Sequence, residues 1–211
     1  MSRVAETVAA IGIPLAWSNW ALPALGLGIR GRTVANAGFA TGFATVCHAT
    51  PNWFSAKGFR YGIVAASLVA TGYGVALTIP SVRRGLSEFE GRAPEVSPAE
   101  WIAVHIPIST VYSEEMIFRA ALDPLLDNAF GSRAGSVLGA LTFGLWHVHP
   151  ARAAGDSVPA SIAATAAGGV ALGWLRRRTG SVTAPALLHL AINAGGALAP
   201  RIARLIGTPR T

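Results

Sequence analysis

The sequence predicts an all-α, polytopic transmembrane helix bundle of six to seven spans, and three observations carry that prediction. Of the 211 residues, 52% are apolar and 13% charged, against roughly 25% charged in soluble domains, and the mean hydropathy is +0.46. The apolar residues gather into long runs without period-2 alternation. In lipid, where each backbone N–H and C=O has to be satisfied internally, such runs favour helices over a closed barrel. Short stretches rich in Gly, Pro and Arg separate them. Ordinary soluble enzyme folds are thereby excluded. The net charge of +7 would suggest nucleic acid in a soluble protein. Here the arginines punctuate apolar runs, where anionic lipid headgroups of the bilayer are the expected partner, and nucleic acid is not.

The first run, Ile11 to Ile29, follows a start whose Glu6 matches a cleavable signal peptide poorly, so it is expected to be a retained span. Val34 to Cys47 is short for a full crossing and is expected to be tilted, extended or incomplete. Tyr61 to Ile79 is the third run, Trp101 to about Leu126 the fourth, and Ser136 to Val148, again short, the fifth. Val158 to Leu175 and Pro185 to Ile206 complete the set. The separators are Arg30 to Arg32, Pro51 to Arg60, Pro80 to Pro98, Asn128 to Arg133, Pro150 to Asp156 and Arg176 to Gly180. The longest, with Glu88, Glu90 and Glu95 among Arg83, Arg84 and Arg92, reads as a solvated loop. Nothing marks a second domain, so residues 1–211 read as one membrane domain. Glycines four apart, at Gly38 and Gly42, Gly135 and Gly139, and Gly169 and Gly173, are expected to let helix backbones approach closely. The single cysteine, Cys47, reads as a small core residue. Lys57 as the one lysine suggests a GC-rich bacterial source.

In a chain this apolar the informative residues are ionisable groups inside the runs, each costing several kcal/mol without partners. The fourth run holds Ser113-Glu114-Glu115-Met116-Ile117-Phe118-Arg119. Glu115 and Arg119, four apart, share a helix face and suit an ion pair. Glu114, turned about 100° away, is left for another task. In the fifth run Phe143 and His147 are four apart, the ring able to wall the imidazole from lipid. His149 lies about 200° from His147 on a helix, so the two serve one site only if the helix has ended there. In the last run His189 and Asn193 share a face and are expected to point into one cavity. His48 and His105 read as structural. Glutamate, two histidines and an asparagine on three late spans make a set of general base, acid and oxyanion donors.

The ordered motifs Glu114-Glu115 with Arg119, Phe143 with His147, and His189 with Asn193 resemble those of the CAAX prenyl protease and bacteriocin-processing (CPBP, or Abi) family of intramembrane endopeptidases. The resemblance spans residues 100–206, a catalytic core to which residues 1–98 add N-terminal spans. It implies a bundle with an internal conical cavity, opening to one side of the membrane, and hydrolysis of a peptide bond in a membrane-associated protein, prenylated or signal-peptide-like. Glu114 would activate water, assisted by His147; His189 and Asn193 would hold the oxyanion; Glu115, Arg119 and Phe143 would support them. It also implies a multi-pass location in a bacterial cell membrane. A metalloendopeptidase-like use of zinc by the histidines is the alternative chemistry, but H-E-x-x-H is absent, and the reading adopted has no metal and no cofactor. Other readings are a non-catalytic scaffold or bacteriocin self-immunity protein of the same fold, and a proton-coupled transporter, for which no inverted repeat with broken helices is visible.

One geometric demand follows. At ~1.5 Å per residue, Glu114 lies about 21 Å along a helix begun at Glu100, and His147 about 21 Å along an antiparallel one begun at Arg133. Straight spans of ~30 Å would leave them about 12 Å apart in depth. Either the fourth helix runs past Arg119, or one of the two tilts or starts inside the membrane.

Overall fold

Oily runs that must satisfy their own backbone become helices, and the computed structural model, which describes residues 3–88 and 95–207, contains no strand among those residues. Helix α1 (Arg3–Ala16) begins before the expected run. It continues through a π-helical segment, Trp17–Ala21, into a last turn, Leu22–Ala24. The break falls at residues 25–28, where Gly26 takes φ +60°. Arg30 to Arg32, expected as a separator, are instead the first turn of α2 (Ile29–Val46). Helix α3 (Ala56–Thr78) starts at Ser55, whose hydroxyl accepts from the Gly58 N–H at 3.0 Å.

The stretch expected as a solvated loop also folds in part. Pro80–Glu88 forms α4, with Pro80 at its first position, where a missing N–H costs nothing. Glu95 is bound rather than loose: it pairs with Arg32 at 3.0 Å and accepts from the Ile29 N–H at 3.3 Å. Glu90 and Arg92 lie outside the described residues.

From Pro98 the chain is helical without interruption as far as Gly131. A turn at Pro98–Glu100 leads into a π-helical stretch, Trp101–Tyr112, then a second, Glu115–Leu122, and then α5 (Asp123–Trp146). Pro107 lies inside the first π stretch, where it lacks an N–H and crowds the carbonyl four residues back. The Ser113 hydroxyl donates to the Ile108 carbonyl five residues back, at 2.9 Å. The fourth helix therefore does run past Arg119, one of the ways in which depths could be matched.

Helix α5 bends at Gly131 (φ 77°, ψ 160°), a conformation that only glycine adopts easily. The expected separator, Asn128 to Arg133, shrinks to that residue. The two arms fold back as a hairpin paired outward from the bend. The Cβ that Gly135 lacks would lie 2.8 Å from the Asp127 N, and Gly139 faces Asp123. Farther out, the Phe118 and Phe143 rings meet edge to face at 4.9 Å, and Trp146 reaches Glu114. Helix α6 (Val148–Ala154) replaces the first part of the expected Pro150 to Asp156 separator. Then come α7 (Val158–Thr179), which includes Arg176 to Arg178 as its last turn, and α8 (Thr183–Gly207).

The Glu115–Leu122 stretch is buried at every residue and lies at the centre of the core, against Phe143, Trp146, Leu172 and Val182. Helix α3 packs on α8, with the Tyr73 ring seated over Gly195 and its hydroxyl donating to the Ile192 carbonyl at 3.0 Å. Among the described residues two helices, Ala56–Thr78 and Val158–Thr179, are long and apolar enough to cross a membrane. Both turn large apolar residues outward, among them Val64, Leu68, Val75, Val170 and Trp174, as a face covered by lipid or protein does.

The glycine pairs divide. Gly169 gives the expected close approach, to Ala140 and Phe143. Gly38 and Gly42 face open space, against expectation. Gly135 makes room for backbone and the Asp127 side chain, whereas Gly139 and Gly173 make room for side chains: Asp123 and Arg177 occupy the volume that a Cβ would fill there.

Candidate active site

The hairpin, α8 and the Trp17–Ala21 segment together build a polar cavity of about 370 Å³, whose walls include Asn36, Ser109, Glu114, His147, His149 and Asn193. A larger hollow, about 760 Å³, is walled mainly by apolar residues of α1, the end of α2 and the start of α5, with Cys47 on its rim. Glu114 and His147 lie at the smaller one.

Glu114 is buried, and its two oxygens have different surroundings. The Trp146 indole N–H donates to Oε1 at 3.2 Å. Oε2 has no hydrogen-bond partner and faces Nε2 of His189 at 3.7 Å and Nε2 of His147 at 4.0 Å. These gaps are too long for direct hydrogen bonds and suit a bridging polar group. Glu114 is not among the contacts of Arg119, as the helical-face argument requires.

Each imidazole is oriented from behind. His147 Nδ1 lies 2.8 Å from the Phe143 carbonyl. A carbonyl only accepts, so Nδ1 carries a proton and Nε2 is turned to the Glu114 side. His189 Nδ1 lies 2.8 Å from Glu115 Oε1 and donates to it. Asn193 lines the cavity while one N–H of its amide donates back to the His189 carbonyl at 3.1 Å, leaving the other for the cavity. The histidine and asparagine thus share a face as expected, with His189 deep and Asn193 on the wall.

Glu115 and Arg119 are fully buried with Oε2 and Nε 3.6 Å apart. The guanidinium lies over the Phe143 ring, 4.6 Å from its centroid, and the same ring meets His147 edge-on at 4.9 Å. Phe143 therefore links the ion pair to the imidazole, beyond its expected role as a wall.

The second histidine of the fifth run also reaches the cavity. Helical geometry ends at His147 (φ −91°, ψ 7°), so His149 is no longer held 200° away. The bend is secured from α1: the Ser18 hydroxyl donates to the Trp146 carbonyl at 2.7 Å, Asn19 Nδ2 to the Leu145 carbonyl at 3.1 Å, and the His149 N–H to Asn19 Oδ1 at 2.8 Å. No group of three or more His, Cys, Asp or Glu side chains among the described residues is disposed to hold a metal ion.

Residues 97–195, which hold this entire constellation except its support from α1 and α2, match the family model described as type II CAAX prenyl endopeptidase Rce1-like. Over that segment, just under half of its length, the chain is similar to the Rce1-like family. No curated protein and no solved structure matches the chain. Within the Rce1-like segment the sequence reading missed Trp146, an aromatic in an apolar run that looks like core until its N–H is seen on Glu114. It also missed Asp123 and Arg177, which sit near the ends of runs where charges read as interfacial.

The other two histidines are structural ties or caps. His105 is buried, with Nδ1 2.7 Å from the Thr33 hydroxyl and Nε2 3.2 Å from Glu100 Oε1. Arg30 grips Glu100 at 2.7 and 3.0 Å, so α2 is bound to the start of the Trp101–Tyr112 stretch. The hydrogen bonds from Arg30 and then His105 hold the Glu100 carboxyl at about 2. His48 follows the end of α2 with φ 51°.

Proposed function

We propose that the protein is an intramembrane endopeptidase of a bacterial cell membrane, hydrolysing a peptide bond of a membrane-associated protein through water activated at Glu114. In this reading the chain is one membrane domain of six to seven spans, residues 100–206 its catalytic core and residues 1–98 its additional spans. The observation that carries it is the asymmetry of Glu114: Trp146 occupies one oxygen, and the other faces two imidazole nitrogens at 3.7 and 4.0 Å inside a polar cavity.

Water placed against Oε2 gives a proton to that carboxylate as its oxygen bonds to the substrate carbonyl carbon. The C–N bond then breaks, and the proton passes from Glu114 to the leaving nitrogen, so the carboxylate is regenerated. His147, its Nδ1–H committed to the Phe143 carbonyl, meets the water through Nε2. The developing oxyanion is held by the free N–H of Asn193 and by His189, which donates from Nε2 as the imidazolium between Glu114 and Glu115. No metal or other cofactor is used. An apolar groove of about 780 Å³ between α2 and the Trp101–Tyr112 stretch suits the lipid part of a prenylated substrate.

The test is cleavage of prenylated and unmodified peptides by protein purified into lipid, with Glu114→Gln and His147→Ala beside the wild type and with chelator added. Loss of a general base predicts a fall of about 10²–10⁴ for Glu114→Gln. Cleavage at the wild-type rate by that variant rejects the base assignment, and loss with chelator replaces it with a metal. A wild type that cuts neither peptide leaves the scaffold or self-immunity reading.

A further inference from the structure

Behind the site, charges alternate in sign along a single file, Glu115, Arg119, Asp123, Arg177, Asp127, the first three buried and the outer two half-buried. Arg119 Nη1 and Arg177 Nη1 each lie 3.9 Å from Asp123 Oδ2, so the aspartate stands between two guanidiniums. Arg177 is anchored at the outer end by two 2.9 Å hydrogen bonds to Asp127. Arg176 Nε donates to the Arg119 carbonyl at 2.9 Å. The space for this file is made by glycines on two helices. A Cβ at Gly173 would lie 3.2 Å from Asp123 Oδ2 and 2.6 Å from Arg177 Nη1, and one at Gly139 would collide with Asp123 Oδ1.

Well-packed apolar residues would fill that volume at no loss of stability and often with a gain, so the charges ask for a role beyond holding helices together. Arg119 gives them one. It lies between Glu115 and Asp123, and all three of its side-chain nitrogens and Asp123 Oδ2 are buried without a hydrogen-bond partner. How fully Arg119 neutralises Glu115 depends on how strongly Asp123 competes for it, and that competition depends on Arg177. Glu115 in turn is the acceptor that orients His189.

We infer that Asp123, set by Arg177, is a positioning residue for the site: through Arg119 and Glu115 it fixes the orientation and protonation of the His189 ring that faces Glu114. The catalytic meaning rests on the endopeptidase reading; the coupling to His189 does not. The charged groups acting on the His189 ring are Glu114, Glu115 and Arg119, with His147 across Glu114.

The test compares Asp123→Asn and Arg177→Gln in lipid nanodiscs. It uses ¹⁵N NMR of the histidine rings across pH and, on any peptide cut by the wild type, kcat and KM across pH. Removing a negative charge favours the ionised carboxylate and the neutral imidazole; removing a positive charge does the reverse. Asp123→Asn should therefore move the His189 titration and the acid limb of kcat to lower pH, and Arg177→Gln should move both higher. Each shift is up to about 1 pH unit, smaller for the more distant Arg177, as for a single charge beyond direct contact at an effective dielectric of ~20, with KM changed less than about two-fold because neither residue touches substrate. A packing defect does not produce opposite signs. Shifts of the same sign, or none in either variant, overturn the inference. If Asp123→Asn does not fold, the direction of the Arg177→Gln shift decides alone. If the wild type cleaves nothing, the endopeptidase reading fails while the NMR titration still settles the coupling.

Discussion

Replacing Gly135 by alanine drives a methyl group into the other arm of the hairpin. The new carbon would sit 2.8 Å from the Asp127 N and 2.9 Å from the Leu126 carbonyl carbon, both main-chain atoms of a buried helix, and would also meet the Asp127 carboxylate. Restoring ordinary contact at about 3.5 Å requires the arms to separate by about 0.7 Å, an overpacking that costs about 1–3 kcal/mol. Gly42 is the internal control, since its Cβ would meet nothing within 4 Å and both positions lie in helices, so the helix-propensity gain of alanine cancels between them. The two variants should therefore differ by about 1–3 kcal/mol. For a chain of this length that is an apparent Tm gap of about 2–12 °C, at about 2–4 °C per kcal/mol. Thermal unfolding of both proteins in one detergent, followed by circular dichroism, measures the gap. Equal Tm values for Gly135→Ala and Gly42→Ala would refute the claim that the arms meet main chain to main chain.

Trp146→Phe keeps the edge-to-face contact with Phe118 but removes the N–H donated to Glu114. Turnover should fall about ten-fold or more, one charge-assisted hydrogen bond's worth, and Tm should fall as well because the buried Oε1 loses its donor; steady-state kinetics together with thermal unfolding check both. Arg119→Met leaves Glu115 buried without its arginine and Asp123 with Arg177 alone. Because uncompensated buried charge costs about 3–5 kcal/mol, this variant should be recovered from membranes in much lower yield than wild type, as quantitative blotting reads. Glu100 sits at about 2, below the usual carboxylate range. Its contribution is therefore complete above the unfolded glutamate value of about 4.3 and lost as pH falls through the folded one. The Tm difference between wild type and Glu100→Gln should accordingly be present at pH 6 and shrink toward pH 2.5.

Oily runs and the charges inside them were legible from residue types alone, because lipid makes each exception costly. Glu114, Glu115, Arg119, His147, His189 and Asn193 stand out for that reason; the two histidines face Glu114, while Glu115 and Arg119 lie behind His189. Turn geometry was less legible. The Pro80–Glu88 helix has few apolar residues, and Arg30 to Arg32 carry charge into the first turn of a helix, so polarity was mistaken for loop. The π-helical stretches left no mark in the hydrophobic pattern, since widening a turn depends on local carbonyl bonding and on Pro107. Trp146 and Asp123 were missed for a common reason. Their roles are defined by what lies opposite across the Gly131 bend, and pairing between antiparallel arms is absent from a reading of one helix at a time.

The way the hairpin is completed bears on biosynthesis. Glu114, Trp146 and His147 emerge from the ribosome on consecutive arms and meet as soon as the bend at Gly131 closes. The ring that faces Glu114 from the other side belongs to α8 and is made only after the whole of α7. A nascent chain that stops short of α8 thus carries the acid and one imidazole but lacks the second, so on the endopeptidase reading the site is incomplete until α8 has packed.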